Sequence, residues 1–502
     1  MTLIGQLSSL ESAGLIRVAQ VEPDLEYLFR HALVQDAAYQ SLLASDRRRL
    51  HHAVGQVIED LYADRLDEYA AMLARHFDSA GDAERARDYY TRAGDAALAT
   101  FANPEAEGLY RHALALARTE TDRAALLDQL GEALVRQGLF EAWLEAWRRA
   151  IELCRSAGNL DSVAHLYARS ARAAWYAGDT PRGLALCQEG QAAVEGAPES
   201  PDQARLLHEV ARAYLFNGMA ERAEPLLRQA LDMARRQDAP GVEADALATL
   251  GVLPNVPADE ALSVLRTSVA LAHEHGLLDI AQRAHHNLAI VIGGLGGDLR
   301  AAREQFEEAI LIARKRGVVS EEVLSSMSAA GLSIAFGELP VAEEALSRLE
   351  AAIDTLPDPE GSRIELRAMQ AGLYGVKGDW QRATELQRQV LDEAEDRGNL
   401  QMVLNAIGEI TSLALELHFL GISPELGPVG WAETEALLHR AIEITDGGLG
   451  SRVAPRYLLS ILRSRQGRLA EARAWLAEAE FHAREYSSAW DEQSLRLARL
   501  EL

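Results

Sequence analysis

Two arginines stand at equivalent places in consecutive stretches of the chain. Arg172 lies six residues before Gly178 and Arg212 six before Gly218, a step of 40. Trp175 and Tyr176 follow the first, Leu215 and Phe216 the second, and His208 sits one helical turn ahead of Arg212. Stacking of the two stretches would bring the guanidinium groups side by side against aromatic surface. A guanidinium holds a carboxylate through two parallel hydrogen bonds. The constellation therefore predicts a groove for an acidic side chain or a C-terminal carboxylate of a protein or peptide partner, or for a small effector. A structural alternative uses the same residues: the arginines pair with neighbouring Glu or Asp, and the rings fill space between repeats.

Other chemistries find little footing. Only two lysines occur, Lys315 between Arg314 and Arg316, and Lys377 before Gly378. Neither stands in a Gly-Lys-Ser/Thr loop, so the chain has no Walker A phosphate cradle. Gly293-Gly294-Leu295-Gly296-Gly297 follows no strand and reads as turn glycines. There is no Gly-x-Ser-x-Gly elbow and no His-Glu-x-x-His helix. His51-His52 and His285-His286 are adjacent pairs, which a helix turns to different faces, and His273-Glu274-His275 has the wrong spacing for chelation. Cys154 and Cys187 occupy different positions in their repeats, without a disulfide framework. Acidic pairs such as Glu307-Glu308 and Glu343-Glu344 read as solvated helix faces. No catalytic residue, cofactor or metal is expected.

The elements that position these residues repeat. A glycine followed five residues later by a small residue recurs at Gly81/Ala86, Gly178/Gly183, Gly218/Ala223, Gly297/Ala302, Gly337/Ala342, Gly378/Ala383 and Gly467/Ala472. Gly138 heads an altered copy, and Asn255-Val256-Pro257 replaces the glycine once. Seven before the turn lie Gly131, Ala171, Ala211, Ala330, Ala371 and Ser460; twelve after it lie Ala93, Ala150, Ala230, Ala309 and Ala479. Nine after it stand the bulky Trp147, Leu227, Phe306 and Leu476. Small residues let helices approach and the bulky one fills the remaining gap. No single hairpin buries enough apolar area to offset its chain entropy, so a stack is required.

This signature resembles the tetratricopeptide repeat. The usual unit is about 34 residues, so a step near 40 implies helices about one turn longer. HEAT and armadillo repeats match that length but lack the small-residue pattern. The resemblance implies an all-α, right-handed superhelix of helical hairpins over residues 63–486, closed by a capping helix over 487–502.

Residues 1–62 depart from the repeat. Leu3, Leu7 and Leu10 mark one helical face. Ile16, Val18 and Val21, a Glu22-Pro23-Asp24 turn and Tyr27 to Phe29 predict a β-hairpin. A helix follows from Ala32, then another opened by Asp46 with Leu50, Val54, Val57 and Leu61 on one face. Helix, hairpin, helix is the back half of a winged helix, here partial, which leaves Leu3, Leu7 and Leu10 without their usual cover. The run Tyr27-Leu28-Phe29-Arg30-His31-Ala32-Leu33-Val34-Gln35-Asp36-Ala37-Ala38-Tyr39 resembles the end of that domain in the bacterial signal-transduction ATPases with numerous domains. Ala74-Arg75-His76-Phe77, Gly81-Asp82, Tyr89-Tyr90 and Ala93 share that look. The resemblance implies that His31 contacts the β-phosphate of ADP when an ATPase domain is present. Arg30 and Ala32 depart from the family's Met-His-Asp pattern, and the alternative reading of His31 is a helix start packed on the hairpin.

Fifty Lys+Arg against 76 Asp+Glu give a net charge of -26, which disfavours nucleic acid as a partner. No basic-then-apolar leader opens the chain, and the apolar run Leu288 to Leu295 is too short to span a bilayer, so no membrane association and a cytoplasmic location are expected. Arginine-for-lysine usage with abundant alanine points to a bacterial, GC-rich source. The functional expectation is a non-catalytic interaction or effector-sensing scaffold, the sensor part or stand-alone descendant of such a signalling ATPase or transcriptional regulator. The alternatives are an enzyme with an unrecognised site between helices, and a DNA-binding regulator using the winged helix.

Overall fold

The structure is a computed structural model and describes residues 3–502 apart from 21–25, 177–178, 217–218, 295–297, 357–358, 423–427, 448–450 and 486–488; the side chains of Tyr176, Thr180 and 484–494 also lie outside the description. Met1–Asn159 forms one compact unit and Leu160–Leu502 a second. The first runs α1 (Leu3–Ser12), β1 (Ile16–Gln20), β2 (Glu26–Phe29), α2 (Ala32–Ser41), α3 (Ala44–Leu61), α4 (Leu66–Ala80), α5 (Ala83–Ala99), α6 (Asn103–Leu116), α7 (Glu120–Arg136) and α8 (Phe140–Ser156). The second opens with α9 (Leu160–Tyr176), α10 (Thr180–Ala193), α11 (Pro201–Phe216), α12 (Ala220–Arg236), α13 (Pro240–Leu250), α14 (Ala258–Glu274), α15 (Leu278–Gly294) and α16 (Leu299–Arg316). It continues through α17 (Val319–Ala335), α18 (Leu339–Ile353), α19 (Pro359–Val376), α20 (Trp380–Asp396), α21 (Leu400–Phe419), α22 (Trp431–Asp446), α23 (Val453–Arg465), α24 (Leu469–Glu485) and α25 (Ala489–Leu500). The chain is all-α with tetratricopeptide-like helical hairpins. Among the described residues the strands are confined to one antiparallel pair, with Ile16 opposite Phe29 and Val18 opposite Tyr27.

A glycine followed by an aspartate marks the turn in four of the hairpins. Gly81 has φ +83°, the left-handed conformation that closes a helix, and Gly378 has φ +82°. The next residue caps the following helix: Asp82 accepts from the Arg85 amide at 3.3 Å, and Asp379 from that of Arg382 at 3.1 Å. Asp179 and Asp298 do the same after Gly178 and Gly297, glycines that themselves lie outside the described residues. The spacing read from sequence then fixes the core. Ala86, Ala223, Ala302, Ala342, Ala383 and Ala472 are buried, as are Ala171, Ala211, Ala330, Ala371 and Ser460 on the preceding helices. The small and bulky positions meet: a β-carbon on Gly131 would collide with the indole of Trp147, whose Nε1 donates to Asp128 O at 3.1 Å.

Several local expectations need correction. Asp46 lies in the first turn of α3, while Leu43 occupies its N-cap. The apolar face of α3 forms but is uncovered: Leu50, Val54, Val57 and Leu61 are exposed, as are Leu3 and Leu10 of α1, while Leu7 is half-buried. The Glu22-Pro23-Asp24 turn falls outside the described residues. α25 has partners, packing on α23 and α24 with Leu495 and Ala498 buried beside Tyr457. α21, not the stretch near Leu288, is the one helix among the described residues long and apolar enough to cross a membrane by length and composition. Its Val403, Ala406, Ile407 and Ile410 are instead core residues packed with α20 and α22.

Candidate functional site

In the second unit the odd-numbered helices from α9 to α23 open the hairpins, and two regions of these first helices carry unusual chemistry. The first contains the arginines singled out from sequence. Arg172 on α9 and Arg212 on α11 do come together, but around a carboxylate of the chain itself. Arg172 Nε donates to Glu209 Oε1 at 2.8 Å, and Arg212 Nη1 donates to Glu209 Oε2 at 2.9 Å. Arg172 also binds Asp245 on α13, and Arg283 on α15 binds Asp245 from the other side. Four successive first helices are thus laced by one ionic seam.

The seam is buried and electrically settled. Burial alone would raise the Glu209 carboxyl, but Arg172 and Arg212 outweigh it and hold it at about 2. Asp245 is likewise held well below the usual carboxylate range, with Arg172 and Arg283 overcoming burial. His208 is fully buried, its Nε2 lies 2.8 Å from Thr249 Oγ1, and burial pushes it down to about 3. Trp175 and Phe216 stack with centroids 4.4 Å apart, and the Arg212 guanidinium lies 5.0 Å from the Trp175 ring. The space left among Trp175, Gly183, Arg212 and Phe216 is about 10 Å³, room for a single water at most. The side chain of Tyr176 lies outside the described residues. His208, Glu209 and Asp245 place ligand atoms within 4.8 Å of one another, a metal-like grouping. Three guanidinium groups already claim those carboxylates, so a divalent cation would enter against like charge.

The other expected positions are separate. His31 precedes α2 with an extended backbone and is exposed, without a capping bond to that helix. The adjacent histidines turn apart. His51 Nδ1 lies 3.0 Å from His76 Nδ1 while His52 faces Phe77; His285 Nε2 lies 2.9 Å from His273 Nε2 while His286 meets Ser325.

The second region was missed in the sequence. A groove of about 760 Å³ runs over α17, α19, α21 and α23. It opens where α19 and α21 stand apart, each packed on α20. Gly331, Gly372 and Gly408 line it from mid-helix. Beyond its own helix, a β-carbon on Gly372 or Gly408 would meet no atom within 4 Å, and one on Gly331 only the Met369 methyl at 3.6 Å. These glycines serve no internal close approach, unlike Gly131. Gly331 and Gly372 stand six before their turns, the register position that Arg172 and Arg212 hold earlier. Gln387 stands nine after Gly378, where other hairpins place Trp147, Leu227, Phe306 or Leu476. It is 6% exposed, and its Oε1 has no hydrogen-bond partner. A mid-helix glycine and a polar residue in a core slot were both visible signals.

No protein-family model and no curated protein matches the sequence. Solved structures share helical-repeat likeness at low identity. A Rap protein complexed with Competence and Sporulation Factor is 15% identical, with a TM-score of 0.48, over 77% of this chain and 99% of that one. A signal transduction ATPase with a tetratricopeptide repeat sensor from Pyrococcus horikoshii is 12% identical, with a TM-score of 0.38, over all of this chain (100%) and 61% of that one. Yeast Tom70 is 13% identical, with a TM-score of 0.38, over 83% and 95%.

Proposed function

We propose that the chain is a non-catalytic scaffold that binds a segment of a protein or peptide in the groove over α17, α19, α21 and α23. The observation that carries this reading is the trio Gly331, Gly372 and Gly408. A mid-helix glycine costs roughly 0.5–1 kcal/mol relative to alanine, and no contact within the chain requires these three. Room for a ligand's approach gives them a purpose. We place the binding surface here rather than over Arg172 and Arg212, because those guanidiniums already hold Glu209 and Asp245. A random nine-residue peptide library displayed on phage should yield enriched binders with the native chain. Filling the groove with Gly331→Leu, Gly372→Leu and Gly408→Leu, with helical circular dichroism retained, should abolish that enrichment. Equal enrichment on the filled protein would refute the assignment.

Within this reading we take residues 1–62 as the end of a winged-helix region, 63–486 as the array and 487–502 as its cap. The array would be the sensor of a bacterial signalling ATPase, or a stand-alone descendant. The β-hairpin before an exposed His31 supports this. Two buried free thiols, Cys154 and Cys187, suit a reducing, cytoplasmic compartment. Joined to a homologous ATPase domain, His31→Ala should weaken ADP retention; unchanged ADP affinity would defeat this part.

A further inference from the structure

The groove's charge is one-sided. Glu365 on α19 and Glu409 on α21 line it, and no lining residue is Arg, Lys or His. Carboxylates elsewhere in this unit are widely paired, as Glu209, Asp245 and Glu433 are with arginines. These two have no ion-pair partner among the described residues. Both residues are exposed; partial desolvation by the groove walls raises the Glu365 carboxyl, and the same effect together with Glu416 raises that of Glu409, the direction expected when no cation is near. Beside them lies Gln387, 6% exposed, whose unpartnered atom is the acceptor Oε1. Acceptors that lack donors converge on one groove.

Ser328, Gln401, Asn405, Thr411, Ser412, Thr445 and Ser451 add neutral polar groups, and the remaining lining is apolar and adaptable. Met327, Met369 and Met402, three of the seven methionines in the chain, lie along it with Leu324 and Tyr457. Methionine repacks around varied apolar shapes at low cost. Met327 and Tyr457 are buried in its floor, and a bare polyamine would satisfy the carboxylates but leave Leu324, Met369 and Met402 uncovered. Resting on the binding reading above, we propose that the groove's occupant is a partner segment that places an Arg or Lys against Glu365 or Glu409 and lays apolar side chains over Met369 and Met402. Its N–H groups would supply Gln387 Oε1. Net charge of -26 favours the encounter with a basic segment as well. The preference is opposite in sign to that read from Arg172 and Arg212.

The test uses labelled nine-residue peptides of Leu, Met and Ala with one central position varied; nine extended residues reach about 30 Å, roughly three helix spacings. Fluorescence anisotropy on the full chain should show the Arg and Lys peptides binding at least about tenfold more tightly than the Gln and Glu peptides. Glu365→Gln with Glu409→Gln should erase that preference while the Gln peptide still binds. Preference for the Glu peptide, an Arg preference untouched by the double substitution, or spermidine competing as well as the Arg peptide would each overturn the proposal. Loss of every peptide on the Gly331→Leu, Gly372→Leu, Gly408→Leu protein tests the groove itself. Binding that survives there defeats the groove assignment, whereas binding without charge preference defeats only the occupant.

Discussion

Six residues before the turn, α9 and α11 carry Arg172 and Arg212, while α17 and α19 carry Gly331 and Gly372. The backbone position is the same and the outcome opposite. Arg172 reaches across to acids of neighbouring first helices, Arg212 holds Glu209 of its own helix, and together they close the surface from within, leaving about 10 Å³. Glycine withdraws the side chain and leaves about 760 Å³. At the position nine before the turn, α11 has Glu209, which answers two arginines, and α19 has Met369, which answers none. Charge satisfied inside the chain is structural, however striking the residues look in sequence. Charge left unanswered beside open space is the better guide to a site.

The sharpest way to break the comparison is to cut the seam. Glu209→Ala strands the buried Arg212 guanidinium and leaves Arg172 with Asp245 alone, and should cost about 3–5 kcal/mol in urea unfolding of the second unit. Glu365→Ala in the groove should cost almost nothing, since it breaks no pair. A similar loss for both would mean that the two regions do not differ in the way described.

Acid should separate them next. His208 is held neutral at about 3 against an ordinary 6.5, so the unfolded chain takes up a proton first. Stability should therefore fall as pH drops from about 6.5 towards 3, by up to about 1.4 kcal/mol per pH unit. Glu209, held at about 2 against 4.5, adds a second loss between those values. His208→Gln should flatten the first limb and spare the second. Glu365 and Glu409 work in the other direction: their raised carboxyls cost stability at neutral pH, and protonation relieves that cost. Unfolding free energies measured from about pH 2.5 to 7.5 decide between these slopes.

The smallest effect tests the glycines. Gly372→Ala should stabilise by about 0.5–1 kcal/mol, because the helix gains and nothing clashes. Gly131→Ala should destabilise by about 1–3 kcal/mol, because Trp147 must move. A loss at Gly372 would show that it is needed for packing after all.

The hairpin register was legible because it is local. Turn glycines, buried alanines and the bulky residue nine on are all set by the geometry of one helix pair. The groove was less so, though Gly372 in a helix and Gln387 in a core slot broke the pattern openly. Pairing was not legible. Whether Arg172 meets Glu209, 37 residues away, depends on how far each hairpin is rotated on the last, and no spacing within a repeat encodes that. For the same reason the face of α3 read correctly as Leu50, Val54, Val57 and Leu61, while its exposure did not.

The seam also bears on how such an array can evolve. Helical-hairpin arrays lengthen and shorten by copying or losing whole units, and each end heals because neighbours are interchangeable. Between α9 and α15 they are not. The order arginine, glutamate, aspartate, arginine runs through four units, and excising the α11–α12 hairpin would take Glu209 and Arg212 and leave Arg172 to find a new neighbour. Duplication would insert charge with no counterpart. Unit number should therefore be frozen across this stretch and free to drift around α17 to α23, where new grooves of different length could arise without disturbing a single buried pair.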